Sequence, residues 1–291
     1  MTSSACGDGG RRRFWRRHLR LPACFFSAAL IAVIAGHLDL QIADAVFFDR
    51  EANVWIGAQT WWAVDLIHTG GALFIRLVGI AAIATLALSF WLPAWRHFRR
   101  GAAYLALGLI LVPTVVATLK QLTNVDCPRD LERYGGDRPY VALLDDRPDD
   151  LPRARCFPGS HASSGFALMA GYFLLLGRRP LQARQALAAA ILIGTVFSIG
   201  QQARGAHFLS HDLTSAAIAW FTLLALWRLL LAPAAEAVQP QVVQGDREWK
   251  EIGKDSDGVV LAEGEVQKQQ QASRNAHVPE RRGHCRPAVS R

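Results

Sequence analysis

Apolar blocks long enough to cross a lipid bilayer recur along this sequence, and they restrict its fold more than any other feature. A helix that crosses the hydrocarbon core needs about 20 residues. Blocks near this length recur between residues 21 and 232, separated by polar or basic segments. The sequence therefore predicts an all-α, polytopic membrane protein and not a soluble globular domain.

We predict a bundle of six transmembrane helices, which together form a membrane domain of residues 21–232. The predicted spans are residues 21–36, 71–91, 102–119, 161–177, 185–200 and 210–231. A basic segment, residues 1–20, precedes this domain. Residues 233–291 are rich in Gln, Glu, Lys and Pro and have few large apolar residues, so we predict a disordered cytoplasmic tail.

Arginine clusters indicate how the bundle is oriented. The basic segments 11–20, 96–100 and 178–184 all fall on one side of the predicted bundle, and the positive-inside rule makes that side cytoplasmic. Both termini are then cytoplasmic, while the long polar loop 123–160 faces outward. We expect an integral protein of the bacterial inner membrane, with this loop in the periplasm or exterior. Because topology accounts for the clustered positive charge, we expect no nucleic-acid partner.

Three polar segments fall at the predicted outer ends of the spans, and they contain the residues best suited to chemistry. The first runs from residue 120 to 129, the second from 157 to 161, and the third from 200 to 212. The candidate side chains and turn residues are Lys120, Arg129, Gly159, Ser160, His161, Arg204, His207, His211 and Asp212.

Such a set can cleave a phosphate ester without a metal ion. One histidine attacks phosphorus and becomes a phosphohistidine, while another protonates the leaving oxygen. A carboxylate can fix the tautomer of the nucleophile, and cations with helix N–H groups hold the phosphate oxygens. We expect Ser160 to cap a helix that starts at His161, which places this histidine at an anion-binding helix terminus.

The three segments resemble the motifs of the type-2 phosphatidic acid phosphatase superfamily, membrane lipid phosphatases with six spans. That family carries Lys-x6-Arg-Pro, then Pro-Ser-Gly-His, and last Ser-Arg-x5-His-x3-Asp. The resemblance covers roughly residues 20–232 and places the motifs at the ends of the same spans. It implies a metal-independent phosphatase that acts on a lipid phosphate or diphosphate in the bilayer.

Two departures concern the first two motifs. Cys127 stands where the first motif has its arginine, and Arg129 follows two residues later. The second motif reads Pro158-Gly159-Ser160-His161, with Gly and Ser exchanged.

The third motif allows two alignments. If His207 is the nucleophile, Gln201 replaces the motif arginine, Arg204 is the nearest cation, and Asp212 comes one residue late. If His211 is the nucleophile, Arg204 is in register and Ser215 replaces the aspartate. We favour His207, because Asp212 and the small residues after it resemble the start of the family's last helix.

The resemblance implies a role for each candidate. His207 attacks phosphorus, His161 protonates the leaving group and Asp212 orients the nucleophile, with His211 as the rival nucleophile. The phosphate would be held by Lys120, Arg129, Gly159, Ser160 and Arg204. Two other functions stay open: transfer of the phosphoryl group to another lipid, and non-catalytic binding or transport on the same fold.

Two cysteines lie in the outward-facing loop, Cys127 and Cys156, and each adjoins a motif. Disulfides form in oxidising compartments, so we predict that these two are bridged. The sequence has no Cys/His spacing of the zinc type, and we expect neither a metal nor another cofactor. His37 and His68 receive no catalytic role.

Overall fold

Helices dominate the part of the chain that the computed structural model describes, residues 4–143 and 145–232. In chain order they are α1 (Ser4–Trp15), α2 (Leu21–Ala35), α3 (Leu38–Ile42), α4 (Gly71–Trp91), α5 (Arg99–Thr123), α6 (Ser160–Phe166), α7 (Ala170–Leu175), α8 (Pro180–Ala203) and α9 (Leu209–Leu230). The predicted all-α class is confirmed. The predicted tail, residues 233–291, lies outside the described residues, and the domain boundary at residue 20 stays a prediction.

Shorter elements join these helices. π-helical segments at Arg16–Arg20, Ala43–Phe47 and Trp62–Gly70 adjoin the neighbouring α-helices, and 3₁₀ turns lie at Pro93–Phe98, Pro128–Asp130, Glu132–Tyr134 and Ala167–Met169. An antiparallel hairpin of β1 (Phe48–Asp49) and β2 (Val54–Trp55) lies between α3 and α4.

Five helices in the described part of the chain are long and apolar enough to span a membrane: Gly10–Ala35, Trp62–Trp91, Pro93–Asp130, Pro180–Ala203 and Leu209–Leu230. Each starts earlier or ends later than the sequence blocks suggested. The second starts nine residues before its predicted start, since π-helical turns extend α4 toward the hairpin. Residues 62–70 thus belong to a spanning helix and not to a loop.

The predicted fourth span is the exception. It is built from α6, a 3₁₀ turn and α7, and at about 1.5 Å per residue this stretch falls short of a roughly 30 Å hydrocarbon core. It packs among α5, α8 and α9. A Cβ atom on Gly165 would lie 2.9 Å from the Cα atom of Gly194 in α8, so small residues allow this close approach. The count of six spans therefore remains a prediction.

The main apolar core lies where α5, α7 and α9 meet. Tyr104, Phe173 and Leu223 are fully buried there, and the Tyr104 hydroxyl donates to the Leu223 carbonyl oxygen at 3.1 Å. Helix α4, in contrast, leaves Leu77 and Ile80 exposed. Exposed leucine and isoleucine along a long apolar helix are the surface that lipid tails cover, so this pattern fits a helix at the edge of a membrane bundle.

Loops cover one end of the bundle, which we call the motif end because α5 ends there and α9 begins there. Aromatic side chains of the hairpin and the loop after α5 form a second core, with Phe48, Trp55 and Tyr134 in ring contact. Asp39 of α3 accepts hydrogen bonds from the Ser210 N–H at 2.9 Å and the Ser210 hydroxyl at 2.5 Å. This contact caps α9 and fixes the start of the helix.

Candidate active site

Backbone hydrogen bonds join the three motif segments at the motif end. The Arg129 N–H donates to the Gly205 carbonyl oxygen at 2.9 Å, which links the first segment to the third. The Gly159 N–H donates to the His211 carbonyl oxygen at 3.3 Å, which links the second to the third. Segments far apart in sequence are therefore held in one site by the backbone itself.

A disulfide adds a covalent link between the first two segments. Cys127 and Cys156 are bonded in the structure, with Cα atoms 5.1 Å apart and a sequence separation of 29. Cys156 is fully buried, and its Sγ atom lies 3.6 Å from Nδ1 of His207. The bridge therefore lies against the candidate nucleophile.

The loop between α8 and α9 has a tight shape that a glycine permits. Gly205 has φ +65°, and a Cβ atom there would lie 2.4 Å from the Trp55 ring. Glycine adopts positive φ without the steric cost that other residues carry. This turn packs against Trp55 of the hairpin and leads the chain from Arg204 to His207.

His207 and His211 form a buried pair. Their Nδ1 atoms lie 3.4 Å apart, and the two residues are 8% and 2% exposed. A neutral imidazole has one N–H and one acceptor nitrogen, so such a contact requires one ring to donate and the other to accept. Since Nδ1 of His207 faces His211 and the disulfide, Nε2 is the nitrogen of His207 left to approach a phosphorus atom.

The electrostatic environment keeps His207 neutral. Burial lowers its pKa well below the ordinary value of 6.5, and positive charge on His211, Lys120, Arg129 and His161 lowers it further. These groups come from all three segments, and they include Lys120 and Arg129, two of the three cations predicted to bind phosphate. A neutral imidazole has the free lone pair that nucleophilic attack requires.

The sequence predicts that Asp212 orients His207, but among the described residues its carboxylate makes no hydrogen bond to His207. Its Oδ2 atom accepts a hydrogen bond from Nε2 of Gln202 at 2.9 Å, while its buried Oδ1 atom has no hydrogen-bond partner among the described residues. His211, one residue earlier, occupies the position against Nδ1 of His207 instead. The residue of the rival alignment, Ser215, donates to the carbonyl oxygens of Gly159 and His211, each at 2.8 Å.

The exchange of Gly and Ser in the second motif has a steric reason. A Cβ atom on Gly159 would lie 2.6 Å from Oδ1 of Asp212 and 3.4 Å from Cδ2 of His207. Only glycine fits between these two side chains. The Gly159 N–H already donates to the His211 carbonyl oxygen. Gly159 therefore provides room for a phosphate and not a free hydrogen-bond donor.

His161 lies in the first turn of α6, but the predicted cap is wrong. The helix starts at Ser160 with Gly159 at the N-cap, and no side chain caps it. Nε2 of His161 donates to the Ile67 carbonyl oxygen at 3.1 Å, and the ring stacks on Phe197 at 4.4 Å between centroids. Nδ1 is therefore the ring nitrogen that can exchange a proton with a substrate.

Two residues near His161 had no catalytic role in the sequence prediction. The His68 ring lies 4.8 Å from the His161 ring, and Nδ1 of His68 accepts from the Gln201 amide at 3.0 Å. Arg204 in turn donates to Gln201 at 3.3 Å. Gln201 thus links Arg204 to His68, which in turn lies against His161. The signal that could have identified His68 is its position in a spanning helix, where an ionisable side chain is costly.

The two arginines that depart from the motif positions lie near each other. Burial and the charge of Arg129 both lower the pKa of Arg204. Arg129 also lies 3.8 Å from Asp130, measured from Nε to Oδ1. Two guanidinium groups that repel each other are suited to an anion with more than one charge.

Apolar helices long enough to span a membrane, with buried histidines and several cations at one end of the bundle, indicate an integral membrane protein. Residues 101–233 match the family model of the PAP2 superfamily, which confirms the resemblance given by the three motifs. The match runs through α5 and α9, and it includes all three motif segments. No curated protein and no solved structure matches the chain significantly.

Proposed function

We propose that this protein is a metal-independent phosphatase that hydrolyses a lipid phosphate or diphosphate through a phosphohistidine on His207. The observation that carries the proposal is the placement of His207. Its Nδ1 atom is held 3.4 Å from Nδ1 of His211, and the positive charges of Lys120 and Arg129 act on its ring. A nucleophile fixed at one nitrogen and surrounded by cations is what attack on a phosphate ester needs.

The proposed reaction has two steps. Nε2 of His207 attacks phosphorus, the bond from phosphorus to the lipid oxygen breaks, and His161, protonated on both ring nitrogens, gives that oxygen the proton on Nδ1. Water then attacks the phosphorus of the phosphohistidine, the bond from phosphorus to Nε2 breaks, His161 takes a proton from the water, and inorganic phosphate leaves. Lys120, Arg129 and Arg204 hold the phosphate oxygens as their charge increases.

The surroundings of the site support a substrate that stays in the membrane. The helices that carry the first and third motifs are apolar enough to span a bilayer, and the site lies at their ends. A lipid could keep its tails among the exposed apolar side chains while its phosphate reaches His207. From the arginine distribution we infer an inner-membrane protein whose site faces the periplasm or exterior.

The test is release of inorganic phosphate by the purified full-length protein from a panel of lipids. The panel should include phosphatidic acid, a polyprenyl diphosphate, phosphatidylglycerol phosphate and a lipid A phosphate. We expect release from at least one, together with an acid-labile phosphoenzyme that His207→Ala abolishes. His97→Ala is the matched control, since His97 is exposed between α4 and α5 and far along the chain from every motif. Equal phosphate release by the His207→Ala variant would rule out the proposed nucleophile.

A further inference from the structure

Four side chains of types that commonly bind zinc lie close together, and the candidate nucleophile His207 is one of them. The ligand atoms of Cys156, His207 and His211 lie within 4.8 Å of one another, and all three residues are buried. Cys127 is bonded to Cys156. This group could not be found from spacing alone, because its members are separated by loops and helices and not by the short spacings of zinc motifs.

The distances within this group match a tetrahedral zinc site. With Zn–N near 2.0–2.1 Å and Zn–S near 2.3 Å, tetrahedral ligands lie about 3.3 Å apart for two nitrogens and about 3.6 Å for nitrogen and sulfur. The two Nδ1 atoms of His207 and His211 are 3.4 Å apart, and Sγ of Cys156 is 3.6 Å from Nδ1 of His207. Two edges of the tetrahedron are therefore already in place.

We propose that the reduced protein binds one Zn²⁺ ion, or a cation of similar softness, through Cys127, Cys156, His207 and His211. The disulfide form cannot do so, because its sulfur atoms are not thiolates. A dithiol reductant would cleave the S–S bond, supply two electrons and become a disulfide itself, leaving two thiols. Each thiol then loses its proton as it binds the metal. Rotation of the cysteine side chains separates the sulfurs to the roughly 3.8 Å of a tetrahedral pair.

A cavity reaches one member of this group, His211. It has a volume of about 300 Å³ and is lined by His211 together with Asp39, Asp145 and Tyr140. The Asp39 and Asp145 carboxylates in this lining favour entry of a cation over an anion. The substrate phosphate, in contrast, is expected on the side of His207 that faces Lys120 and the arginines.

The metal site would regulate the proposed phosphatase. A metal bound at Nδ1 of His207 withdraws electron density from the ring and places positive charge beside it, which makes Nε2 a poorer nucleophile. Zinc should therefore inhibit the reduced protein and spare the oxidised one. This inhibition depends on the proposed function, whereas metal binding itself does not.

Cobalt binding tests the site independently of activity. The probe is Co²⁺, added to full-length protein in which Cys6, Cys24 and Cys285 are replaced by serine. The protein is reduced with a dithiol and freed of the reductant under argon. We expect one Co²⁺ per chain, with the charge-transfer absorption of a cobalt–thiolate bond, and displacement by Zn²⁺. The oxidised protein should show no thiolate band.

Two further variants keep the test decisive. Cys127→Ser leaves Cys156 reduced without any reductant and should still give a thiolate band, with weaker affinity. In that background His211→Ala should weaken Co²⁺ binding at least tenfold. The proposal is overturned if the thiolate band is absent from both the reduced protein and the Cys127→Ser variant, or if His211→Ala leaves the affinity unchanged. If the protein binds the metal but releases phosphate from no lipid, the proposed function is contradicted and the metal site is still supported.

Discussion

Replacing His211 by alanine tests how the candidate nucleophile is held. His211 is 2% exposed, and its Nδ1 atom lies 3.4 Å from Nδ1 of His207. When His207 attacks phosphorus its ring becomes positively charged, so this contact becomes a hydrogen bond to a charged group. We expect His211→Ala to slow the reaction and to leave the nucleophile in place.

The size of the effect follows from the strength of that hydrogen bond. Hydrogen bonds to charged groups contribute about 1.5–3 kcal/mol, and each 1.36 kcal/mol of barrier is a factor of ten in rate. His211→Ala should therefore lower kcat/KM by roughly 10- to 150-fold. His211→Asp restores a carboxylate four residues after His207, as in the family motif, and should recover part of the loss.

The assay measures kcat/KM and the phosphoenzyme burst with an activated aryl phosphate, in oxidised protein and in the presence of EDTA. An aryl phosphate needs little protonation of its leaving group, so the readout isolates His207 and His211 from His161. A rate within twofold of wild type in His211→Ala would refute the orienting role. If His211→Ala lost the phosphoenzyme while His207→Ala kept it, the nucleophile would be His211 and the favoured alignment would be wrong.

Four other predictions concern topology, metal, sterics and the disulfide. Reporter fusions at residues 140 and 240 should report external and cytoplasmic locations, and a cytoplasmic signal at 140 would overturn the placement of the site. Phosphate release by oxidised protein should survive EDTA, whereas full loss that a divalent metal restores would contradict a histidine-only mechanism. Gly159→Ser should lower stability by about 1–3 kcal/mol and reduce activity, because its Cβ would lie 2.6 Å from Oδ1 of Asp212. Thermal unfolding in detergent measures this, with Gly79→Ser as the control, because a Cβ atom on Gly79 would meet no atom within 4 Å. Equal melting temperatures of Gly159→Ser and the unsubstituted protein would refute the clash. Mass spectrometry of non-reduced peptides should find Cys127 joined to Cys156, and two free thiols in freshly isolated membranes would contradict the bridge.

The sequence by itself determined the helical class and the three motif segments. Apolar blocks of bilayer length leave the backbone no alternative to helices, since lipid offers no hydrogen-bond partners. The motifs could be recognised because their residues are close in sequence. The span lengths were harder to predict from the sequence. Helices α6 and α7 are short, and small residues let them pack closely among other helices. A hydropathy profile contains no information on such packing.

Only the tertiary structure decided which side chain contacts His207. Asp212 and His211 are neighbours in sequence, but adjacent residues on a helix point about 100° apart, so the structure directs His211 toward His207 and Asp212 toward Gln202. His68 reaches His161 across 93 residues of chain, with a ring-centroid separation of 4.8 Å. Contacts of this kind depend on helix rotation and packing, and no spacing within a single segment encodes them.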